Sequence, residues 1–340
     1  MIRYLEDHPR KKYSFLYTNT ESVNDENEFY RRVLNKLLKT EYIKKAQKVI
    51  TFIEKHIPSI KKIGPDGFEF GVTEEHNYRE ILEKVLKSCS NKKEKLVILL
   101  DEFPQTLENI INNKDKKSGI KFLQSNRELR QDSDITETIQ FIYTGSIGLE
   151  NIVKRLNTSK TINDLAYLRV PPLTIEEARE LIDCLLKNKK FTLSKNVVNY
   201  ILSNIEWLIP FYIQLIIREI GNIYRDSKIK RVEKGTVNKA INQMLEHRNH
   251  FEHWEQRLRS SFSTNEYNFC KELLNITSEE GIISLNDIYN LAVKHNQKHV
   301  YKNLTDSLVY DGYINNNEDR KIYRFNSPIL KKWWYQNVTS

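Results

Sequence analysis

The sequence predicts an α/β amino-terminal half, an all-helical middle and a carboxy-terminal block of three helices and a β-hairpin. Three observations carry this expectation. The continuous apolar runs 96–100 (LVILL) and 139–143 (IQFIY) have the pattern of strands buried on both faces of a parallel sheet. Strand patterns then cease from Pro172 to Gly312. Finally, Tyr313-Ile314 and the run 322–325 flank a polar turn directly after three helical patterns. With 340 residues and ~150 per domain, there is room for two domains and a small third. A single small module is excluded.

Taken in order, residues 13–18 (YSFLYT) read as a strand, and 19–26 as a polar link into a helix carrying Phe29, Val33, Leu37 and Leu38. More helix runs through Ile57 and is stopped by Pro58. The stretch 63–72, with Gly64, Pro65, Gly67 and Gly71, is a loop or small hairpin. Tyr78, Ile81, Leu82, Val85, Leu86 and Cys89 then recur at helical spacing and form one apolar stripe. The run 96–100 ends in Asp101-Glu102, and the run 139–143 ends in Thr144-Gly145-Ser146. Residues 165–170 read as a third strand of this kind, ending at Pro171-Pro172. Helical patterns separate these runs, so the first half is of βαβ type.

Beyond Pro172, Thr174 and Glu177 form a capping box ahead of Ala178, Leu181, Ile182 and Leu185. Ser194 opens a second helix, Pro210 a third and Thr236 a fourth that runs through Met244. Helices over 264–276 and 284–294 precede one with Val300, Leu304 and Leu308 on a single face, ending at Asp311-Gly312. Three helices and a hairpin make a winged helix. The expected domains are 1–172, 173–255 and 256–340, with no internal repeat and no low-complexity tract.

Lys and Arg number 54 against 45 Asp and Glu, a net charge of +9. With 39% hydrophobic and 11% aromatic residues the chain is globular rather than a disordered polycation. The excess charge favours polyanions without proving one. The apolar stretch 208–217 is interrupted by Pro210 and Gln214 and stops at Arg218, short of the ~20 residues a bilayer span needs. Arg3, Glu6, Asp7 and His8 exclude a secretory apolar region near Met1. A soluble, cytoplasmic chain with no membrane partner is therefore expected. Cys89, Cys184 and Cys270 are odd in number and far apart, which argues against disulfides and a Cys-x-x-Cys zinc site and for buried thiols.

The chemistry is concentrated at Asp101-Glu102. Apolar residues followed by two acids are what a nucleoside triphosphatase needs at the carboxyl end of a central strand. Asp101 would hold Mg²⁺ through its water shell, and Glu102 would orient and deprotonate the attacking water. In an open parallel sheet, ligands sit beyond the carboxyl ends of the strands. If the two runs are neighbouring strands, Thr144 and Ser146 converge there as hydroxyls able to sense a γ-phosphate. Acidic turn residues after a buried strand are also ordinary, and the Thr-Gly-Ser ending of the second run is what weighs against that simpler account.

These segments resemble the AAA+-related signalling ATPases of the STAND type, in particular the archaeal-type ATPase group. LVILLDEFPQTLENI is similar to its Walker B strand, FIYTGSIGLENIVKRL to its sensor 1 strand and turn, and LRVPPLTIEEARELI to the entry of its helical lid. WLIPFYIQLI is similar to the lid segment whose proline, here Pro210, packs near the nucleotide. YRFNSPILKKWW is similar to the winged-helix ending. The resemblance implies ATP and Mg²⁺ as cofactors and a P-loop NTPase-type sheet, an all-α lid and a carboxy-terminal winged helix.

One element of that pattern is lacking. A P-loop of the form Gly-x₄-Gly-Lys-Ser/Thr, whose N–H groups and lysine cradle phosphates, does not occur; Lys234-Gly235-Thr236 has the reverse order and lies in the lid. Residues 1–6 (MIRYLE) read like the helix that normally follows such a loop. The sheet is therefore expected to be incomplete, with its first strand missing from an interior position of the family order 5-1-4-3-2. Each buried N–H or C=O so exposed costs about 1–3 kcal/mol. The expectation is a start-truncated or decayed ATPase whose longer reading frame would carry the loop; an in-frame stop directly before Met1 would defeat the truncated version.

Arg127 and Arg130, three apart on one helix, and Arg155 after sensor 1 are candidate arginine fingers, with solvated helix charges the simpler account. Lys298, His299 and Lys302 at the start of the third winged-helix helix, beside Gln297 and Asn303, and Arg320, Lys321 and Arg324 on the wing, are candidate nucleic-acid contacts. Asp306, Asp311, Glu318 and Asp319 dilute that field. The winged helix leaves DNA and protein partners both open, and a homo-oligomer is a further candidate. His247, His250 and His253 recur at three-residue spacing on a candidate helix face, read as a solvated linker rather than a zinc site. Two functions compete. One is an ATP-binding and hydrolysing molecular switch, weak or inactive without Walker A. The other is a non-catalytic DNA- or protein-binding regulator that keeps an ATPase scaffold.

Overall fold

The computed structural model describes residues 2–339 except 45–46, 57–59, 64–66, 71–75, 90–93, 147, 228 and 230. The expectations placed on Met1, Ile57, Pro58, Gly64, Pro65 and Gly71 lie outside the described residues. The chain divides into two compact units, Met1–Ala166 and Tyr167–Ser340.

The first unit runs α1 (Ile2–Asp7), β1 (Tyr13–Asn19), α2 (Glu26–Leu38), α3 (Glu41–Lys44), α4 (Gln47–His56), β2 (Ile60–Ile63), β3 (Gly67–Phe70), α5 (Tyr78–Ser88) and β4 (Lys95–Asp101). It continues through α6 (Phe103–Asn113), α7 (Lys116–Gln131), α8 (Ser133–Thr136), β5 (Ile139–Tyr143) and α9 (Leu149–Arg155). Strands β2 and β3 form an antiparallel hairpin. The main sheet is parallel, in the order β1-β4-β5, with Asn19 opposite Asp101 and Leu100 opposite Tyr143. All five apolar residues of β4 are buried, as expected of a central strand covered on both faces. Helix α2 is capped by Asp25, whose carboxylate accepts from the Glu28 N–H, and it buries Phe29, Val33 and Leu37. On α5 the stripe buries Leu82, Val85 and Leu86.

Among the described residues β5 pairs with β4 alone. The third strand expected over residues 165–170 is not formed. That segment has no regular structure, and Tyr167, Leu168 and Val170 are 63%, 81% and 59% exposed. Apolar composition alone does not make a strand; a ladder neighbour is required, and Pro171-Pro172 supply no N–H donors to one.

The second unit contains α10 (Ile175–Leu186), α11 (Lys195–Ile205), α12 (Pro210–Ser227), α13 (Lys234–Glu246) and α14 (Glu252–Ser261). Then come α15 (Thr264–Glu280), β6 (Ile283–Ser284), α16 (Leu285–Lys294), α17 (Tyr301–Tyr310), β7 (Ile314–Asn315), β8 (Ile322–Phe325) and α18 (Pro328–Trp334). Thr174 and Glu177 form the expected capping box at α10. Helices α15–α17 and the antiparallel sheet β6-β8-β7 have the winged-helix arrangement. One apolar core, including Tyr212, Phe251, Trp254, Tyr313 and Trp334, runs through lid and winged helix together. Cys89 and Cys270 are buried, whereas Cys184, expected to be buried, is exposed. It lies on α10, whose buried residues are Ala178 and Ile182. No described helix is long and apolar enough to cross a membrane.

Candidate nucleotide site at the mouth of the sheet

Strand β4 ends at Asp101, and Glu102 then turns the backbone into the left-handed region (φ 56°, ψ 32°) before α6 begins. A non-glycine residue there costs about 1–2 kcal/mol, which the surrounding contacts must offset. Pro104 sits in the first turn of α6, where its missing N–H costs nothing. The Phe103 N–H donates to the Thr144 carbonyl at 3.1 Å, and the Thr144 N–H to the Leu100 carbonyl at 2.9 Å. These bonds join the turns that follow β4 and β5. Gly145 makes the approach possible, since a Cβ there would lie 2.6 Å from Cδ of Pro104.

The four residues predicted from sequence meet as a result. Asp101 Oδ1 accepts from the Thr144 hydroxyl at 2.7 Å. Glu102 Oε2 accepts from the Ser146 N–H at 3.0 Å and the Ser146 hydroxyl at 2.9 Å. The sequence reading missed a fifth member. The Tyr17 phenol of β1 donates to Asp101 Oδ2 at 2.8 Å, while the Tyr17 N–H donates to Glu6 of α1 at 3.0 Å. Burial, and then the bond to Asp101, raise the Tyr17 pKa. The signal for Tyr17 was its place two residues before the end of a strand parallel to β4; using it required the register. Thr20 completes the support, with N–H and hydroxyl both 2.9 Å from the Asp101 carbonyl. Thr106 of α6 then binds the Thr20 carbonyl at 2.6 Å. Beneath this polar layer Phe103 packs against Phe29, Phe122 and Tyr143.

The donor set is all oxygen, with two carboxylates and three hydroxyls at one strand mouth, which fits a hard divalent cation such as Mg²⁺. Asp101 would carry it, with Thr144 fixing the carboxylate.

The arginines are engaged within the unit. Arg130, whose side chain is 6% exposed, donates to Asp164 at 2.7 and 3.1 Å and to the Thr161 carbonyl. Arg127 donates to the Lys160 carbonyl. Arg155 pairs with Glu108 of α6. Arg130 is thus a buried, paired residue rather than a solvated helix charge.

In the second unit Pro210 is the exposed first residue of α12. Lys298, His299, Lys302, Arg320 and Lys321 are exposed, whereas Arg324 is bound by Glu206 at 2.8 Å and Glu318 at 2.7 Å. Gln297 is buried in the turn before α17. The three histidines do not share a helix: His247 caps α13, His250 lies in a short 3₁₀ turn and His253 in α14. The chain breaks its helix between them, and α14 replaces the solvated linker expected there. Among the described residues no group of three or more His, Cys, Asp or Glu side chains is placed to hold a metal ion.

No protein-family model matches the chain, and no curated protein matches it. Among solved structures, a Walker-type ATPase of Pyrococcus abyssi superposes with a TM-score of 0.57 at 13% identity, over 97% of this chain and 85% of the other. The ORC2 protein of Aeropyrum pernix, solved as ADPNP-ADP complexes, superposes at 0.49 with 11% identity, over 98% of this chain and 79% of the other. The first likeness shows that the chain shares the fold of that protein, with the α/β core, the helices and the winged-helix arrangement described above as its parts here.

Proposed function

We propose that this chain is a nucleotide-dependent molecular switch of the STAND/AAA+ class. The observation that carries the reading is the meeting of Asp101, Glu102, Thr144 and Ser146 at the carboxyl ends of adjacent parallel strands. Asp101, oriented by Thr144 and Tyr17, is the residue for the Mg²⁺ of a bound ATP. That ion would neutralise phosphate charge. Glu102 is the residue that takes the proton of the attacking water. In the present arrangement Ser146 holds Glu102, and the strained backbone keeps the carboxylate at the strand mouth.

A Walker A sequence is not among these 340 residues, so this chain by itself should hold nucleotide weakly. The lid around Pro210 would follow nucleotide state, and the winged helix would deliver the output. Its exposed Lys298, His299, Lys302, Arg320 and Lys321 suit a phosphate-rich partner such as duplex DNA. The competing account, a non-catalytic regulator on an ATPase scaffold, makes Glu102 dispensable.

ATP turnover and fluorescent-nucleotide binding separate the two. The measurements are made on this chain and on a version extended at the front by an added strand and Walker A loop, each with and without Glu102→Gln. The extended wild type should turn over ATP, and Glu102→Gln should lower the rate by about 10²-fold or more while binding persists. An extended wild type as inert as its variant would remove the switch.

A further inference from the structure

Helix α11 ends at Ile205, and the next residue adopts a rare backbone form. Glu206 has φ 51° and ψ −57°, and the Trp207 N–H donates back to the Ile205 carbonyl at 2.6 Å. This is a γ-turn of the strained hand, and strain of this kind persists only where the surroundings hold it. Two contacts do so, one from the wing and one from the turn that follows α17. Arg324 of β8 donates through Nη1 to Glu206 at 2.8 Å. The Trp207 indole lies against Gly312 (φ 85°), where a Cβ would sit 2.7 Å from the ring. A second tight turn follows, from the Ile209 N–H to the Trp207 carbonyl at 2.8 Å, and the chain then enters α12 at Pro210.

Arg324 is the wing cation with the most partners and the least free charge. Its other terminal nitrogen donates to Glu318 at 2.7 Å, while its buried Nε–H has no acceptor among the described residues. Arg320 and Lys321, close by in sequence, are exposed. Both ion pairs are partly exposed, with side chains at 38% and 43% for Arg324–Glu206 and 38% and 75% for Arg324–Glu318. Pairs of this exposure contribute at most about 1 kcal/mol each, so a phosphate can displace them. Two carboxylates leave one guanidinium no net positive charge to offer, so a phosphate gains attraction there only by displacing one of them.

We propose that Glu206 and a polyanion compete for Arg324, so that the turn ahead of α12 sets how much positive charge the wing presents. The proposal rests on the phosphate-rich partner suggested above. Its consequence is reciprocal: whatever draws Glu206 from Arg324 tightens polyanion binding, and a bound polyanion frees the turn.

The test is fluorescence anisotropy of a short random-sequence DNA duplex with the full chain at low salt. Glu206→Gln should tighten binding roughly fivefold, the equivalent of about 1 kcal/mol. Glu318→Gln should tighten it less, because that side chain is more exposed. Arg324→Gln should weaken binding and abolish the gain from Glu206→Gln. Glu279→Gln, on the exposed surface of α15, makes the same change in net charge and should give no gain. Equal gains from Glu206→Gln and Glu279→Gln, or a gain that survives in the Arg324→Gln background, overturn the competition while the DNA partner stands. No binding by any of these proteins removes the partner and the proposal together.

Discussion

At the mouth of the parallel sheet, two carboxylates are held by three uncharged hydroxyls from two chain segments. On the wing, one guanidinium is held by two carboxylates. The geometric precision is comparable, but the electrostatic result is opposite. Neutral donors fix Asp101 and Glu102 and leave their charge in place, the condition a cation site needs. Opposite charges fix Arg324 and cancel it, the condition of a contact that must be released before it can be used. The first unit also contains a case of the second kind, the Arg130–Asp164 pair, but there the arginine is almost fully buried. Partner type decides what charge a site offers, and burial decides whether a pair can be exchanged.

The buried pair gives the largest expected effect. Arg130→Ala removes the bonds to Asp164 and to the Thr161 carbonyl together and, because water reaches the Asp164 left behind, should destabilise the first unit by about 2–4 kcal/mol. All four tryptophans, Trp207, Trp254, Trp333 and Trp334, lie in the second unit, so their fluorescence reports that unit alone. Far-ultraviolet circular dichroism of the variant should therefore gain an early unfolding phase in urea while the tryptophan transition stays put. Unchanged dichroism with a lost ATPase rate in the extended chain would make Arg130 a catalytic finger and reverse its structural role. The hydroxyl arrangement is worth less. Thr144→Val removes one donor from a charged acceptor and should cost about 1.5–3 kcal/mol in the dichroism-detected phase. Ser146→Ala should cost less, because the Ser146 N–H still donates to Glu102. Equal costs would show that the hydroxyls do not hold the acids in the way their distances imply.

What the sequence disclosed was local or periodic. The runs of β4 and β5, the α5 stripe, the Thr174–Glu177 box and the wing hairpin each depend on neighbours in the chain, and each formed. That Asp101, Glu102, Thr144 and Ser146 would meet was also legible, because the ends of neighbouring parallel strands lie side by side. What failed depended on partners remote in sequence. Residues 165–170 have a strand's composition but no ladder to join. Tyr17 reaches Asp101 only through the register of β1 on β4. The acids on Arg324 come from residues 206 and 318, and nothing in the wing's own sequence announces the first of them.

An exposed pair elsewhere in the second unit completes the comparison at its weakest end. Glu272 of α15 accepts from Lys294 Nζ and His295 Nε2, each at 2.6 Å. The bond from Lys294 above all, and then that from His295, hold the Glu272 carboxyl below its ordinary value against the opposing effect of partial burial. A carboxyl with a depressed folded pKa contributes stability that is complete above its unfolded value and is lost as pH falls through the folded one. With Lys294 67% exposed, solvent screening limits the contribution to less than about 1 kcal/mol. Tryptophan-detected urea unfolding should therefore place wild type slightly above Glu272→Gln at neutral pH. The two should converge as the pH drops below the usual glutamate range. A gap that stayed constant across that interval would mean that Glu272 acts through packing, and that an exposed ion pair here contributes nothing a neutral amide cannot replace.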